Sequence, residues 1–208
     1  MQFTDEPVDA DEARRQRARY EPFTEAVRDL IDATIRTQAG AADIAAAQRS
    51  IEAVTARLRA TQIDGPYGVQ FTTEGDGMSW GNPVIGVRNP MAPPLRVESD
   101  GARCWAEFDL GAAYEGPPNH VHGGVSALIL DHLLGEAASA GGNTPVFTGT
   151  ISIKYLRGTP LGALRAEAWV ERVDGIKSYA RGVISDITGI TVEADGVFIT
   201  PQWARDPR

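Results

Sequence analysis

Near the start of the chain, apolar residues recur at steps of three and four in two segments separated by Gly40. Such spacing places a set of side chains on one face of a helix. The first set is Phe23, Val27, Leu30, Ile31 and Ile35, and the second is Ile44, Ala47, Ile51, Val54 and Leu58. Residues 1–64 are therefore expected to form a helical hairpin whose apolar faces are buried on each other, on the rest of the chain or on a partner chain. The charged residues before Tyr20 predict a frayed, solvent-exposed end.

After residue 65 the pattern changes to the alternation of apolar and polar residues that is typical of β-strands. Residues 82–98 form a proline-broken segment that suits an edge-like first strand. One helical segment begins at Gly123 and ends before the glycine pair at 141–142. Five further segments alternate, at residues 102–110, 147–156, 164–173, 178–186 and 191–200. This order predicts an α+β domain with an antiparallel sheet over residues 65–208.

Composition narrows the class of protein. The chain has 28 acidic and 20 basic residues and a net charge of −8, which argues against nucleic-acid binding because such proteins present a basic surface. No segment approaches the ~18 apolar residues of a membrane helix, and the first residues do not have the pattern of a secretory signal. We therefore expect a cytoplasmic protein that does not bind a membrane.

The single cysteine, Cys104, excludes an intramolecular disulfide and a zinc site built from several cysteines. In the alternating segment 102–110 it shares a face with Ala106 and Phe108. An unpaired cysteine in such a place is usually a buried small apolar residue rather than a nucleophile.

The helix that begins at Gly123 carries one acid, Asp131, in an otherwise apolar run. Backbone N–H groups in the first turn of a helix are unpaired and favour an anion or a developing oxyanion, and glycine lets a substrate approach them closely. Asp131 lies eight positions after Gly123, about 12 Å away along a helix. One carbonyl cannot lie within ~3 Å of both groups, so cooperation requires two copies of the helix, antiparallel across a two-fold axis.

A purely structural role for Asp131 stays open at this point, since a neighbouring loop or histidine could hydrogen-bond a buried acid. The helical spacing predicts that Asp131 shares a face with small and apolar residues. These residues are Ala127, Leu134 and Ala138.

Residues 120–135, HVHGGVSALILDHLLG, resemble the helix signature of the PaaI-like acyl-CoA thioesterases, a family with the hotdog fold. The shared features are His-Gly-Gly, an apolar run and an acid at the same offset. Other segments are similar to the family's first strand (RNPMAPPLRVE), its active-site loop (YEGPPNHVHGG), its third and fourth strands (TGTISIKYLRGTPLGALRAEAWVERVDG) and its closing hairpin and last strand (SDITGITVEADGVFI). The resemblance runs from about residue 80 to residue 203. It implies an antiparallel β-sheet wrapped around a long central helix, with the N-terminal helices outside the shared core.

The resemblance also implies an activity, the hydrolysis of an acyl-CoA thioester to free acid and CoA. The sites would lie at the interface of a homodimer, alone or within a homotetramer, and would use no cofactor or metal. Gly123 would supply the backbone N–H that polarises the thioester carbonyl, and His122 would shape the loop before the helix. Asp131, from the partner chain, would be the general base or the nucleophile. Thr148 matches a position where the family often has a hydroxyl near the attacking water.

Substrate binding is expected from four positions. Asn119 lies in the loop where the family often has a polar side chain, and Gly124 follows the oxyanion donor. Lys154 and Arg157 are cations that could meet the phosphates of CoA, as could Arg165.

Several alternatives remain open. His120 and His122 point the same way along an extended segment but lack the further ligands of a metal site. Trp80, Trp105 and Trp169 suit either an acyl pocket or core packing. At the level of function, the alternative is a non-catalytic acyl-CoA-binding or scaffold protein of the same fold. A hydratase or dehydratase is a third possibility, but its usual arrangement of histidine and acid is not seen.

Overall fold

The computed structural model describes residues 6–101, 103–140 and 144–205. Its elements, in chain order, are α1 (Ala10–Arg36), α2 (Ala41–Arg59), β1 (Gln70–Phe71), β2 (Gly77–Met78), β3 (Glu98–Ser99), β4 (Arg103–Leu110), a 3-10 turn (Ala112–Tyr114), α3 (Gly123–Ala138), β5 (Phe147–Tyr155), β6 (Gly162–Asp174), β7 (Lys177–Asp186), β8 (Gly189–Ile199) and a second 3-10 turn (Gln202–Ala204).

Six strands form one antiparallel sheet in the order β3-β4-β6-β7-β8-β5, and α3 packs across it. The helix buries Ile129, Leu130, Leu133 and Leu134 completely against the sheet, and each such side chain stabilises the fold by about 1.5–3 kcal/mol. The predicted α+β class is confirmed, as is the central helix wrapped by an antiparallel sheet, which is the hotdog arrangement. The glycine pair predicted to follow α3, at positions 141 and 142, lies outside the described residues.

Strand β5 is an edge of the sheet, since among the described strands it pairs with β8 alone. None of its nine residues is buried in the single chain, and seven are exposed. Near its start, Thr148 pairs with Phe198 and Thr150 with Val197, so Gly149 is an extra residue that forms a β-bulge. The bulge shifts the alternation by one and turns Thr148 towards α3. A Cβ atom at Gly149 would lie 2.9 Å from Ile199 Cδ1 and 3.2 Å from the Val197 carbonyl oxygen, so a larger residue at the bulge would require Ile199 and the β8 backbone to shift.

Residues 82–98 do not form the predicted first strand. Only Glu98 and Ser99 pair with β4, and the preceding residues make a series of turns. The side chain of Asn82 explains the first of these turns, because its Oδ1 accepts hydrogen bonds from the N–H groups of Val84 and Ile85. The amides that a ladder would use are therefore bonded locally.

The N-terminal end of α1 is not frayed, contrary to the prediction for the residues before Tyr20. The helix begins at Ala10 because Asp9 accepts a hydrogen bond from the Glu12 N–H at 3.0 Å and caps the first turn. One turn later Ala13 is buried with Met78 and Trp80. This contact attaches α1 to the segment that precedes the sheet.

Helix α2 differs from α1 in that none of its residues is buried. Its predicted apolar face is present but open, with side chains 41–49% exposed at Ile44, Ile51, Val54 and Leu58. The predicted helical extension is therefore confirmed as two consecutive helices, while α2 does not bury its face within the described part of the chain. The division at residue 64 stays a prediction. No helix among the described residues has both the length and the apolar character needed to cross a membrane.

Candidate active site at the start and middle of helix α3

The first turn of α3 leaves one N–H group free. His122 caps the helix, because its Nδ1 accepts from the Gly124 N–H at 3.0 Å and its carbonyl accepts from Val125 and Ser126. Among the residues that the structure describes, none accepts a hydrogen bond from the Gly123 N–H. A free N–H at the positive end of a helix is a donor for a carbonyl oxygen that gains negative charge.

Close contacts explain the glycines around this turn. A Cβ atom at Gly123 would lie 3.3 Å from the ring of Tyr155, whose hydroxyl donates to the Gly123 carbonyl at 2.8 Å. A Cβ atom at Gly116 would lie 2.7 Å from the Cα of His122. The loop is therefore held against β5 on one side and folded tightly on itself on the other, which fixes the direction of the Gly123 N–H.

Asp131 lies two turns further along α3, half-buried, and is bonded to β5. The hydroxyl of Thr148 donates to Asp131 Oδ1 at 3.0 Å. The bulge at Gly149 makes this contact possible, because it turns Thr148 towards the helix. The structure thus brings together two of the residues singled out from the sequence.

Asp131 shares a face of α3 with Ala127, Leu134 and Ala138, as predicted, but the sheet covers only part of that face. Leu134 and Ala138 are buried against the sheet, whereas Asp131 is on the partly exposed side with Gly124 and Leu128. These residues are neighbours around the helix, but the sheet covers α3 from one side only, so the boundary between buried and exposed residues runs between Asp131 and Leu134.

Gly123 and Asp131 line two different cavities. Gly123 lines a cavity of about 390 Å³ with Tyr155 and Arg157. Asp131 lines another of about 370 Å³ with Thr148. The two cavities share no lining residue, so a single chain does not bring the donor and the carboxylate to one carbonyl.

Four aromatic residues line the Asp131 cavity, and none of them was predicted from the sequence as part of the site. They are Phe71 of β1, Phe147 and Phe198 of the sheet, and Trp203 of the last turn. Positions 71 and 203 are far from the helix signature along the chain, and no local pattern marked them. By contrast, Trp80, Trp105 and Trp169 line neither of these cavities.

Two titratable groups beside Asp131 were also not predicted as part of the site. His132 lines the same cavity, and its buried Nε2 has no hydrogen-bond partner in the described part of the chain. Burial lowers the pKa of His132, although the nearby Asp131 charge acts in the opposite direction. Burial raises the pKa of Glu136, one turn further along. The cavity therefore favours the uncharged forms of His132 and Glu136.

The predicted contacts of Arg157 and Lys154 with CoA have less support in the structure than the positions of Gly123 and Asp131. The guanidinium of Arg157 is bound by both carboxylate oxygens of Asp186, at 2.6 and 2.8 Å, and this holds the pKa of Asp186 well below its usual range. Lys154 pairs across the sheet with Glu193, on the strand face opposite Tyr155.

Asn119 is exposed, with its N–H bonded to Glu115. The Gly124 N–H is taken by His122. Substrate binding by Asn119, Gly124, Lys154 and Arg157 stays a prediction.

The structure also bears on the role of Cys104 and on a metal site that would include His120. Cys104 is fully buried and donates to the Leu133 carbonyl at 3.1 Å, and burial raises the pKa of its thiol to about 12, so it is a core residue as predicted. His120 Nδ1 contacts the Pro118 carbonyl at 2.8 Å. Within residues 6–101, 103–140 and 144–205, no three His, Cys, Asp or Glu side chains are grouped to hold a metal ion.

A sheet wrapped around one helix, with a free glycine N–H at the start of the helix and a carboxylate in its middle, defines a hotdog-fold protein. A family model for the thioesterase superfamily matches residues 118–192. The crystal structure of a thioesterase superfamily protein is 34% identical, with a TM-score of 0.77, and the match covers 86% of this chain and 94% of that chain. This chain belongs to the thioesterase superfamily.

Two other solved structures are similar to about half of this chain. A phenylacetic acid degradation-related protein from Ralstonia eutropha JMP134 is 18% identical, with a TM-score of 0.45 and coverage of 50% of this chain and 83% of that one. A thioesterase superfamily protein from Shewanella loihica PV-4 is 23% identical, with a TM-score of 0.45 and coverage of 52% and 91%.

The 34% identical relative shares part of the N-terminal extension. Its match spans 86% of 208 residues, or about 179, whereas residues 65–208 number only 144. At least about 35 matched residues therefore precede residue 65. The extension is not peculiar to this chain.

Proposed function

We propose that the protein hydrolyses an acyl-CoA thioester to free acid and CoA, at a site formed by two copies of the chain. The observation that carries the proposal is the separation of the two reactive groups within one chain. Gly123 offers a free N–H in one cavity, and Asp131 offers a carboxylate in another. Two antiparallel α3 helices would bring the Gly123 of each chain to the Asp131 of the other.

Both elements needed for such a pair are exposed. The free edge of β5 has unpaired backbone groups that a second copy of β5 could use. The side of α3 with Gly124, Leu128 and Asp131 is also open, and Leu128 is 36% exposed. A homodimer, alone or as half of a homotetramer, would cover both.

The chemistry follows from the two groups. The thioester carbonyl oxygen accepts the Gly123 N–H, which stabilises the negative charge that develops when the carbonyl carbon is attacked. Asp131 either removes a proton from the attacking water or attacks the carbon itself. In the first route the C–O bond to water forms, the C–S bond breaks and the CoA thiolate takes the proton that Asp131 removed from the water. In the second route the acyl group passes from sulfur to Asp131 as an anhydride; water then hydrolyses the anhydride, which releases the free acid, restores the carboxylate and supplies the proton for the thiolate. Thr148 binds Oδ1 of Asp131 and leaves Oδ2 for the water or the carbon.

The substitution Asp131→Asn tests this function. Thiol release from a panel of acyl-CoA substrates should fall by roughly 10²–10⁴-fold, since the carboxylate is the only base or nucleophile in the scheme. Light scattering should still give a dimer, because the half-buried carboxamide keeps the shape of the side chain. Near-normal turnover by the variant would contradict the proposal. Binding of acyl-CoA by the wild type without thiol release would favour the non-catalytic alternative.

A further inference from the structure

We propose that helix α1 forms one wall of the pocket that binds the acyl group, so that the N-terminal extension selects the substrate. This inference rests on the proposed function. It starts from a third cavity, of about 270 Å³, between α1 and the exposed side of α3. The lining residues of this α1–α3 cavity include Arg28 and Ile31 of α1, Val125 and Leu128 of α3, and Met91 and Tyr114.

The α1–α3 cavity lies directly beside the oxyanion donor. The carbonyl of Tyr114 accepts a hydrogen bond from the His122 N–H at 2.9 Å, and His122 is the residue before Gly123. The Tyr114 hydroxyl is fixed in turn, since it donates to the Ala92 carbonyl at 3.0 Å. One wall of the cavity is therefore attached to the turn that would hold the thioester carbonyl.

The first turn of α3 separates this cavity from the one lined by Gly123. Val125 is two residues after Gly123, which corresponds to about 200° around the helix. Gly123 and Ser126 line one cavity, while Val125 and Leu128 line the other. A carbonyl bound at Gly123 would have one cavity on each side.

Both cavities are mainly apolar, but they differ in the polar groups at their borders. The Gly123 cavity is bordered by the Tyr155 hydroxyl and His120, which suits the amides of CoA, and by Arg157, whose guanidinium is already paired with Asp186. The α1–α3 cavity is bordered mainly by hydrocarbon, which suits an acyl chain. Its one cation, Arg28, is only 16% exposed and is paired with Glu25 at 2.6 Å. The buried Nε of Arg28 has no hydrogen-bond partner in the described part of the chain. The cavity is thus suited to an acyl group that is mainly apolar and can offer one acceptor to Arg28.

The wall provided by α1 is held in place. Its first turns are anchored through Ala13, Met78 and Trp80. Its later part contacts the 3-10 turn that contains Tyr114. Ile31 therefore occupies a defined position opposite Leu128, and its size would set the space left for the acyl chain.

The experiment changes the volume of this wall in the full-length protein. Ile31→Trp should lower kcat/KM for hexanoyl-CoA by roughly 10–100-fold, and change that for acetyl-CoA, which is too short to fill the cavity, by less than about threefold. Ile31→Ala should shift the preference towards longer chains. Leu30→Trp is the matched control, since Leu30 is the adjacent residue of α1, is 41% exposed and does not line the cavity. Equal losses for both substrates, or the same loss in the control, would overturn the inference.

A binding measurement separates this inference from the hydrolase proposal. The non-hydrolysable thioether S-hexyl-CoA is titrated into the wild type and the Ile31→Trp variant by calorimetry. Weaker binding by the variant supports the acyl pocket. This holds even if the wild type releases no thiol from any acyl-CoA, a result that would refute the hydrolase proposal but not the pocket. Equal binding by the two proteins, or no binding to the wild type, overturns the acyl pocket.

Discussion

The two reactive positions of α3 are held in place by different kinds of contact. Around Gly123 the turn is held by main-chain hydrogen bonds of His122 and by two side chains, the His122 cap and the Tyr155 hydroxyl. At Asp131 the position depends on one side chain, Thr148, and on a cavity whose walls come from distant parts of the sequence. The donor thus depends mainly on hydrogen bonds within its own turn, and the carboxylate on tertiary structure. Four experiments test this difference, beginning with the largest expected effect.

A mixture of two inactive variants tests whether donor and carboxylate come from different chains. Gly123→Pro removes the N–H at a helix position where proline is tolerated, and Asp131→Asn removes the carboxylate. Each variant alone should lose roughly 10²-fold or more in kcat. Co-refolded in equal amounts, they should recover about one quarter of wild-type activity, because half of the dimers are mixed and each has one intact site. Circular dichroism and light scattering check that both variants fold and pair, and no recovery would place both groups in one chain.

Removal of the Thr148 hydroxyl tests the single contact at Asp131. Thr148→Val keeps the shape of the side chain but leaves Oδ1 of Asp131 without its donor, so we expect kcat to fall about 10-fold with KM little changed. Thr148→Ser should restore most of the activity, because it returns the hydroxyl. A variant with valine that retains full kcat would show that Asp131 does not depend on this contact.

Removal of the Tyr155 hydroxyl tests the Gly123 side in the same way. Tyr155→Phe deletes the hydrogen bond to the Gly123 carbonyl and should reduce the free energy of unfolding by about 0.5–1.5 kcal/mol, measured in urea. The effect on kcat should be smaller than that of Thr148→Val, since the His122 cap still holds the turn. A larger loss of kcat in Tyr155→Phe than in Thr148→Val would show that the Gly123 turn depends more on a single side chain than Asp131 does.

The smallest effect concerns the buried acid beside Asp131. Burial raises the pKa of Glu136 above its ordinary value of 4.5 in the folded state. Its contribution to stability is therefore complete below that value and is lost as the pH rises through the folded-state pKa. Glu136→Gln, which stays neutral, should be more stable than the wild type at about pH 7.5 and should lose this advantage near pH 4. A difference in urea midpoint that does not change with pH would mean that the acid is not desolvated.

The sequence predicted what short-range patterns encode. The start of α3 at Gly123 and the alternating strands β4 to β8 follow from residue spacing alone. The resemblance to the thioesterases then identified Thr148 as a residue to examine, and the structure places it against Asp131.

What could not be predicted depends on contacts between distant segments. Ala13 has no pattern of its own and is buried only because Met78 and Trp80 cover it. Phe71 and Trp203 reach the Asp131 cavity from the two ends of the sheet domain. The prolines of residues 82–98 indicated an irregular segment. The hydrogen bonds of the Asn82 side chain, which form a turn where a strand was predicted, correspond to no pattern in the sequence.

The single extra residue in β5 gives the start of this strand two possible pairings with β8. In the bulged pairing Thr148 lies opposite Phe198 and faces α3. If Gly149 took the place opposite Phe198 in a regular ladder, Thr148 would lie opposite Ile199 and face away from α3, and Asp131 would lose its partner. The contact at the carboxylate therefore depends on a register difference of one residue.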